Sequence, residues 1–289
     1  SSGMTQANLV QSDLSFTSGY SPYALDFDAA SNDKITASAN SNFDTGDLSA
    51  SIWINASNLG NNIKYFFGNS NALGTAGFTF SVNTSNGNAW YIGRATTTHQ
   101  YIISNVSINF TNNVWNHLCF SYDDTTKGFI LYLNGALVNS GTATSTTKNA
   151  SGSIIIGGHH QNYDFTGKLS NASIWNTALT STQVKELYSE GIPQNLNNHS
   201  AVSSLVSWWQ LGSNSSFNTN WTVLDEKGSN NGTSSNMGED AIVDGVGSYA
   251  NGLSSGMGGD EVIGDAPYST ANSLSVNMDV EDRVTDTPS

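Results

Sequence analysis

WNHLCFSYDDTTKGFILYLNGALV, residues 115–138, decides the fold of this chain. Alternation puts Leu118, Phe120 and Tyr122 on one face of a first strand, and Phe129, Leu131 and Leu133 on one face of a second. The polar run 123–127 predicts the turn between them. Asn134-Gly135 predicts a tighter reversal after the second strand, because both residue types tolerate positive φ. The segment therefore reads as a β-hairpin with one apolar face, the kind of unit that must pack against a second sheet.

Working outward, short runs at 24–27, 49–54, 65–67, 78–82, 89–92, 101–103, 154–156 and 169–175 carry strand composition, separated by polar turns. Repeated short strands without intervening helical periods predict an all-β sandwich. One helix is expected, at 181–190. Thr180 is placed to cap it and Gln183 to complete a capping box, Val184, Leu187 and Tyr188 form an apolar stripe, and Gly191 and Pro193 stop it.

Composition narrows the function. Charged residues make up 11% of the 289, against roughly a quarter in ordinary soluble domains, so Asn, Ser, Thr and Gly must supply the polar surface. Such a surface suits an extracellular or virion-associated protein. Nine basic residues face 23 acidic ones, the net charge is −14, and Arg94 and Arg283 are the only arginines, which disfavours nucleic-acid binding. Cys119, alone, cannot form an intramolecular disulfide and reads as a small core thiol. No apolar run approaches the ~20 residues of a membrane span, and SSGMTQ at the start lacks the apolar core of a signal peptide.

The hairpin resembles the W-x-H…Y-D-G…L-Y-x-N-G-x-x-V run of laminin-G-like, concanavalin-A-like jelly rolls. FTGKLSNASIWNTALTSTQVKELYSEG, residues 165–191, resembles the ending of the same modules, where an F-x-G strand leads into a short helix. The resemblance runs from Leu25 to Gly191 and implies a jelly-roll sandwich of the class that carries lectins, adhesion modules and glycanases. LVSWWQLG (205–212) and DEKGSNNGT (225–233) are similar to the opening of such a module, yet they follow its body. The chain thus reads as starting part-way into one module and ending part-way into the next, with 205–211 expected to supply the missing strand from the C-terminal side. Ser-Ser-x-Met recurs before Met4, Met237 and Met257, each five residues ahead of an apolar pair, which favours an internal duplication.

The expected layout is an N-terminal arm over 1–19, a sandwich over 20–236, and a Gly/Ser/acid-rich C-terminal arm over 237–289. That arm would pair through 241–243, 261–263 and 273–278 with neighbouring copies, making a homo-oligomer. Tandem style, low charge and the SSGM and LVSWWQLG elements resemble laminin-G-like proteins of marine bacteriophages, which implies a virion-surface location.

No catalytic set is expected. A glycanase on this fold needs paired carboxylates in one groove, and no E-x-D-x-x-E pattern occurs. Asp26-x-Asp28 has the spacing, but Leu25 and Phe27 alternate into the core, so its aspartates should point outward. Gly252 to Gly256 spells a nucleophile elbow without the strand and helix that motif requires. Calcium is the cofactor expected, held by Asp28, Asn32, Asp33 and Asp164, because hard cations want oxygens converging from loops and laminin-G-like domains bind calcium at the rim. The competing reading is that Asp28, Asn32 and Asp33 only shape a turn. Glycan contacts are expected from His159, His160, Gln161 and Tyr163, with Trp90, Tyr91, His99 and Tyr101 offering flat faces for stacking, although Trp90 and Tyr101 also suit core packing. The function expected is a non-catalytic module binding host-surface glycans. A purely structural particle-decoration protein is the alternative, and a glycoside hydrolase the third.

Overall fold

The computed structural model describes residues 21–39, 46–57, 63–69, 77–83, 89–95, 112–142, 152–159 and 163–246. The strand expected at 101–103, the N-terminal arm and the arm beyond 246 lie outside the described residues. One sheet orders its strands as β16 (Ile242–Asp244), β1 (Tyr23–Phe27), β11 (Gly167–Trp175), β3 (Leu48–Ala56), β7 (Asn116–Asp123), β8 (Gly128–Leu133) and β9 (Ala136–Thr142), and β12 (Leu205–Trp209) also pairs with β11. The other runs β13 (Ser215–Asn218), β14 (Asn220–Val223), β15 (Gly232–Ser235), β2 (Lys34–Ala37), β10 (Ile154–Ile156), β4 (Ile63–Gly68), β5 (Gly77–Asn83) and β6 (Ala89–Ala95). The two sheets form the expected sandwich.

The opening hairpin is β7 and β8, with Leu118 opposite Leu133 and Phe120 opposite Leu131. Its reversal into β9 uses Asn134 at φ 50° and Gly135 at φ 74°, as the Asn-Gly pair requires. Leu118, Phe120, Tyr122, Phe129 and Leu131 enter the inter-sheet core, where they meet Phe66, Phe67, Phe78 and Phe80 from the second sheet. Phe78 and Phe80 stand 5.9 and 5.5 Å from the Phe120 ring, the latter edge to face, a geometry that adds to the stabilisation from area burial.

The other face of the hairpin is largely covered as well. Cys119, Tyr132 and Trp175 form a second core with Val184 and Leu187 of the single α-helix among the described residues, α1 (Ser181–Tyr188), and with Leu196, Leu205 and Trp208. Small side chains on β3 let this layer approach closely: Ser51 Oγ lies 2.9 Å from Ser173 Oγ, and Ser49 Oγ donates to the Thr177 carbonyl. The helix starts where expected, with Thr180 and Gln183 forming a capping box. Cys119 is fully buried here, and burial pushes its thiol up, consistent with a packing role.

Strand β12 pairs with β11 from the C-terminal side, Trp208 opposite Ser173. The turn after it is tied by Asp225, whose carboxylate accepts from the backbone N–H groups of Trp208, Lys227, Gly228 and Asn230 at 2.9 to 3.2 Å. The boundary expected at 236 moves outward: Met237 is buried and β16 pairs with β1, Ile242 opposite Leu25, so the first residues assigned to the arm complete the sheet of their own module. The four-residue strands β13 (SSFN) and β15 (GTSS) carry little apolar signal, and β2 (KITA) and β14 (NWTV) alternate over too short a run to stand out; they order by pairing with one another, β13 with β14, β14 with β15 and β15 with β2, which joins β10.

Under α1, His117 is buried between Trp53, 5.0 Å away, and Tyr188, 6.2 Å away, and its Nδ1 has no partner. Burial lowers its pKa to about 3. The unfolded chain takes up this proton near pH 6.5, so between those values the unfolded state binds more protons and stability rises with pH, by up to about 1.4 kcal/mol per pH unit from this group. Urea unfolding between about pH 4 and 6.5 should show that slope in the native protein and a flatter one in His117→Phe; equal slopes would contradict the assignment.

Candidate functional site

Two loops that cross between the sheets meet at one end of the sandwich: the β1–β2 turn around Asp28 to Asp33, and the β10–β11 loop containing Asp164. Asp28 is consumed locally, its Oδ1 accepting from Ala30 N–H at 2.9 Å and its Oδ2 from Ser31 at 3.4 Å. Asn32 adopts φ 59° and uses its carbonyl to accept from Asn236. The Asp28 carboxylate thus does the turn-shaping work that competes with metal ligation, while Asn32 shapes the turn through its backbone.

Asp33 and Asp164 differ. Asp33 is 7% exposed and Asp164 2% exposed. Asp33 Oδ2 accepts from Asp28 N–H and Asp164 Oδ1 from His159 N–H, at 2.9 and 3.1 Å, but among the described residues Asp33 Oδ1 and Asp164 Oδ2 are buried without a hydrogen-bond partner. Burial raises the pKa of Asp33, and the charges of Asp28, Asp26 and Asp164 add to the rise against the opposing Asp28 N–H bond. Gly158 keeps the gap between the loops open, since a Cβ there would stand 2.4 Å from Asp164 Oδ1. Among the described residues no three His, Cys, Asp or Glu side chains converge, so two carboxylates and backbone oxygens are what this rim offers a hard cation.

Beside this pair, Tyr65, His159 and Tyr163 stack, with Tyr65 4.2 Å from His159 and 5.9 Å from Tyr163. Tyr65 and His159 are buried, which leaves Tyr163 as the ring of this trio that reaches solvent. Trp90 and Tyr91 sit on β6, the edge of the second sheet, opposite Val82 and Ser81. His99, Tyr101, His160 and Gln161 lie outside the described residues.

A cleft of about 400 Å³ opens on the other side of the rim pair. Its floor is a cross-strand row, Asp26 on β1 opposite Lys168 on β11, and Lys168 opposite Asn55 on β3. Asn113 and Asp240 extend the walls, and Asp33 closes the rim end. Gly167, at φ 135°, lets β11 lie close against β3, since a Cβ there would stand 2.4 Å from the Asn55 carbonyl. Partial burial raises the pKa of Asp26, while Lys168 pulls it back. Sequence reasoning placed Asp26 outward but missed this row, because register, not spacing along one strand, brings its members together.

A laminin-G-type family model, described as the concanavalin A-like lectin/glucanases superfamily, matches residues 29–185, more than half of the chain. The chain belongs to that superfamily. No curated protein matches it. Among solved structures, a candidate carbohydrate-binding protein from Bacteroides ovatus is similar at a TM-score of 0.59 and 16% identity, over 78% of this chain and 60% of that one. Domain 4 of AbnA, an extracellular arabinanase of Geobacillus stearothermophilus solved with arabinotriose, is similar at a TM-score of 0.41 and 23% identity, over 50% of this chain and 68% of that one. These identities speak to the fold alone.

Gly158→Ala should displace the Asp164 carboxylate and break its bond from His159 N–H, lowering stability by about 1–3 kcal/mol. A denaturation curve and His159 amide shift matching the native protein would show that the rim does not depend on that gap.

Proposed function

We propose that this chain is a non-catalytic carbohydrate-binding module, working outside the cell, with Ca²⁺ bracing the loop rim. The observation that carries the reading is the pair of buried carboxylate oxygens, Asp33 Oδ1 and Asp164 Oδ2, left without partners at the loop rim of a lectin-class sandwich. Leaving such groups buried and unmatched is costly, and a hard divalent cation is the ligand that matches two carboxylates with backbone oxygens beside them. Asp33 and Asp164 would hold the ion; it would supply charge neutralisation and lock the two loops together. Tyr163 then offers a partly exposed ring for a sugar, with its neighbours behind it as support.

A glycoside hydrolase is the second reading, favoured by one observation: Asp26, with its raised pKa, shares the cleft with other carboxylates. The non-catalytic reading is stronger because the residue set directly opposite Asp26 is Lys168, where a hydrolase would need a second carboxylate. Display on a virion or host-facing surface, and oligomerisation through residues beyond 246, rest on the sequence resemblance and the duplicated Ser-Ser-x-Met segments.

Ca²⁺ at about a hundred times its Kd should raise the unfolding free energy by about 2.7 kcal/mol. Asp33→Asn with Asp164→Asn should abolish that response while raising stability in chelator, because the like charges are gone. An unfolding midpoint indifferent to calcium and chelator would remove the metal from the account. On a glycan array a clustered form should bind above background without releasing reducing ends; release of reducing ends would establish the hydrolase instead.

A further inference from the structure

We infer that the Asp26–Lys168–Asn55 cleft is itself a sugar-binding site, selective for uncharged glycans presented through their ring hydroxyls; the inference rests on the carbohydrate-binding reading. The row alternates what it offers. Asp26 only accepts hydrogen bonds, Lys168 only donates them, and the Asn55 amide does both. A sugar hydroxyl also does both at once, so neighbouring hydroxyls on one ring can each donate to a carboxylate and accept from an ammonium or amide. The three side chains come from adjacent strands in register, Asp26 opposite Lys168 and Lys168 opposite Asn55, which spaces them about 5 Å apart, within reach of one pyranose. Strands hold such a row more rigidly than loops do.

The cleft's volume of about 400 Å³ suits one or two sugar rings. Phe27 is the aromatic residue that lines it, and it is buried at 1% exposure, so recognition here proceeds through hydroxyls instead of ring stacking. Asp33, more than nine-tenths buried, closes the rim end of the cleft, so the proposed cation would sit at the border of the sugar floor and not on it.

Charge sets the selectivity. Asp26, Asp28, Asp33 and Asp240 line the cleft against Lys168 as the cation, and the chain carries a net charge of −14. A uronic or sialic acid carboxylate would enter against both the local and the overall field. Neutral hydroxyl-rich sugars meet no such barrier.

Titration calorimetry of the full chain in calcium, against neutral oligosaccharides and matched uronate- or sialate-bearing ones, tests the inference. Neutral ligands should bind and acidic ones should not. Lys168→Met and Asp26→Asn, each checked for an unchanged unfolding midpoint, should weaken binding about tenfold or more, as expected for hydrogen bonds to charged groups. Tyr163→Ala should weaken it less. Binding that survives both cleft variants but is lost in Tyr163→Ala would overturn the cleft and leave the rim as the sugar site. Preference for acidic ligands would overturn the selectivity. No binding of any oligosaccharide, with or without calcium, would overturn the carbohydrate-binding reading together with the cleft.

Discussion

Everything in this sandwich depends on how β11 divides its flank. One side pairs with β3 along nearly its whole length, while the other is shared end to end by β1, through Leu169 to Gly167, and β12, through Ala172 to Trp175. The division falls at Ser170 and Asn171, where the β3 register shifts and Asn171 takes φ 49°. Ser170 Oγ lies 3.3 Å from the carbonyls of both Tyr23 and Gln210, and Asn171 N–H donates to Gln210, so one irregular step ties an early strand and a late strand to the same central strand. Trp208 Nε1 donating to Asn171 Oδ1 satisfies the side chain that the bulge buries.

That division also locates function. The outer face beside β12 is roofed by α1 and its buried Trp175, Val184, Leu187 and Trp208, so a large part of this sheet is closed to ligands. Among the described residues no such roof covers the outer face beside β1, and the polar row of Asp26, Lys168 and Asn55 stands there. The loops that lead from β1 to β2 and from β10 to β11 meet at the end of that row and bring Asp33 and Asp164 together. A rigid floor with a loop rim that a cation could brace is a binding architecture: two packed cores fix the strands, and few groups need to be ordered on binding.

Much of the fold was legible from alternation. The β7–β8 hairpin, the buried triplet Ile154–Ile156 and the capped helix at Thr180 each carry their own local signal, and the structure places them where that signal falls. Short polar strands such as GTSS were illegible, because their order comes from neighbours and not from their own side chains. The same distinction holds at the site. Asp33 and Asp164 could be named from residue type and loop position, and the structure brings them to one rim. Asp28 has the same chemistry in sequence, but its carboxylate accepts from Ala30 N–H and Ser31 within the turn. His159 could be named as a ring beside a loop, yet its burial under Tyr65 depends on packing that no local pattern encodes. Lys168 and Asn55, 113 positions apart in the chain, become neighbours through strand register alone.

The central claim is that a neutral sugar sits on the β1–β11–β3 row without being cleaved. Amide and side-chain NMR shifts recorded while a neutral oligosaccharide is titrated into the calcium-loaded protein test it most directly. The account predicts perturbations concentrated at Asp26, Asn55, Asn113, Lys168 and Asp240, with the sugar unchanged at the end. Perturbations confined to β6 or to the β9 edge, or a sugar shortened during the titration, would contradict it.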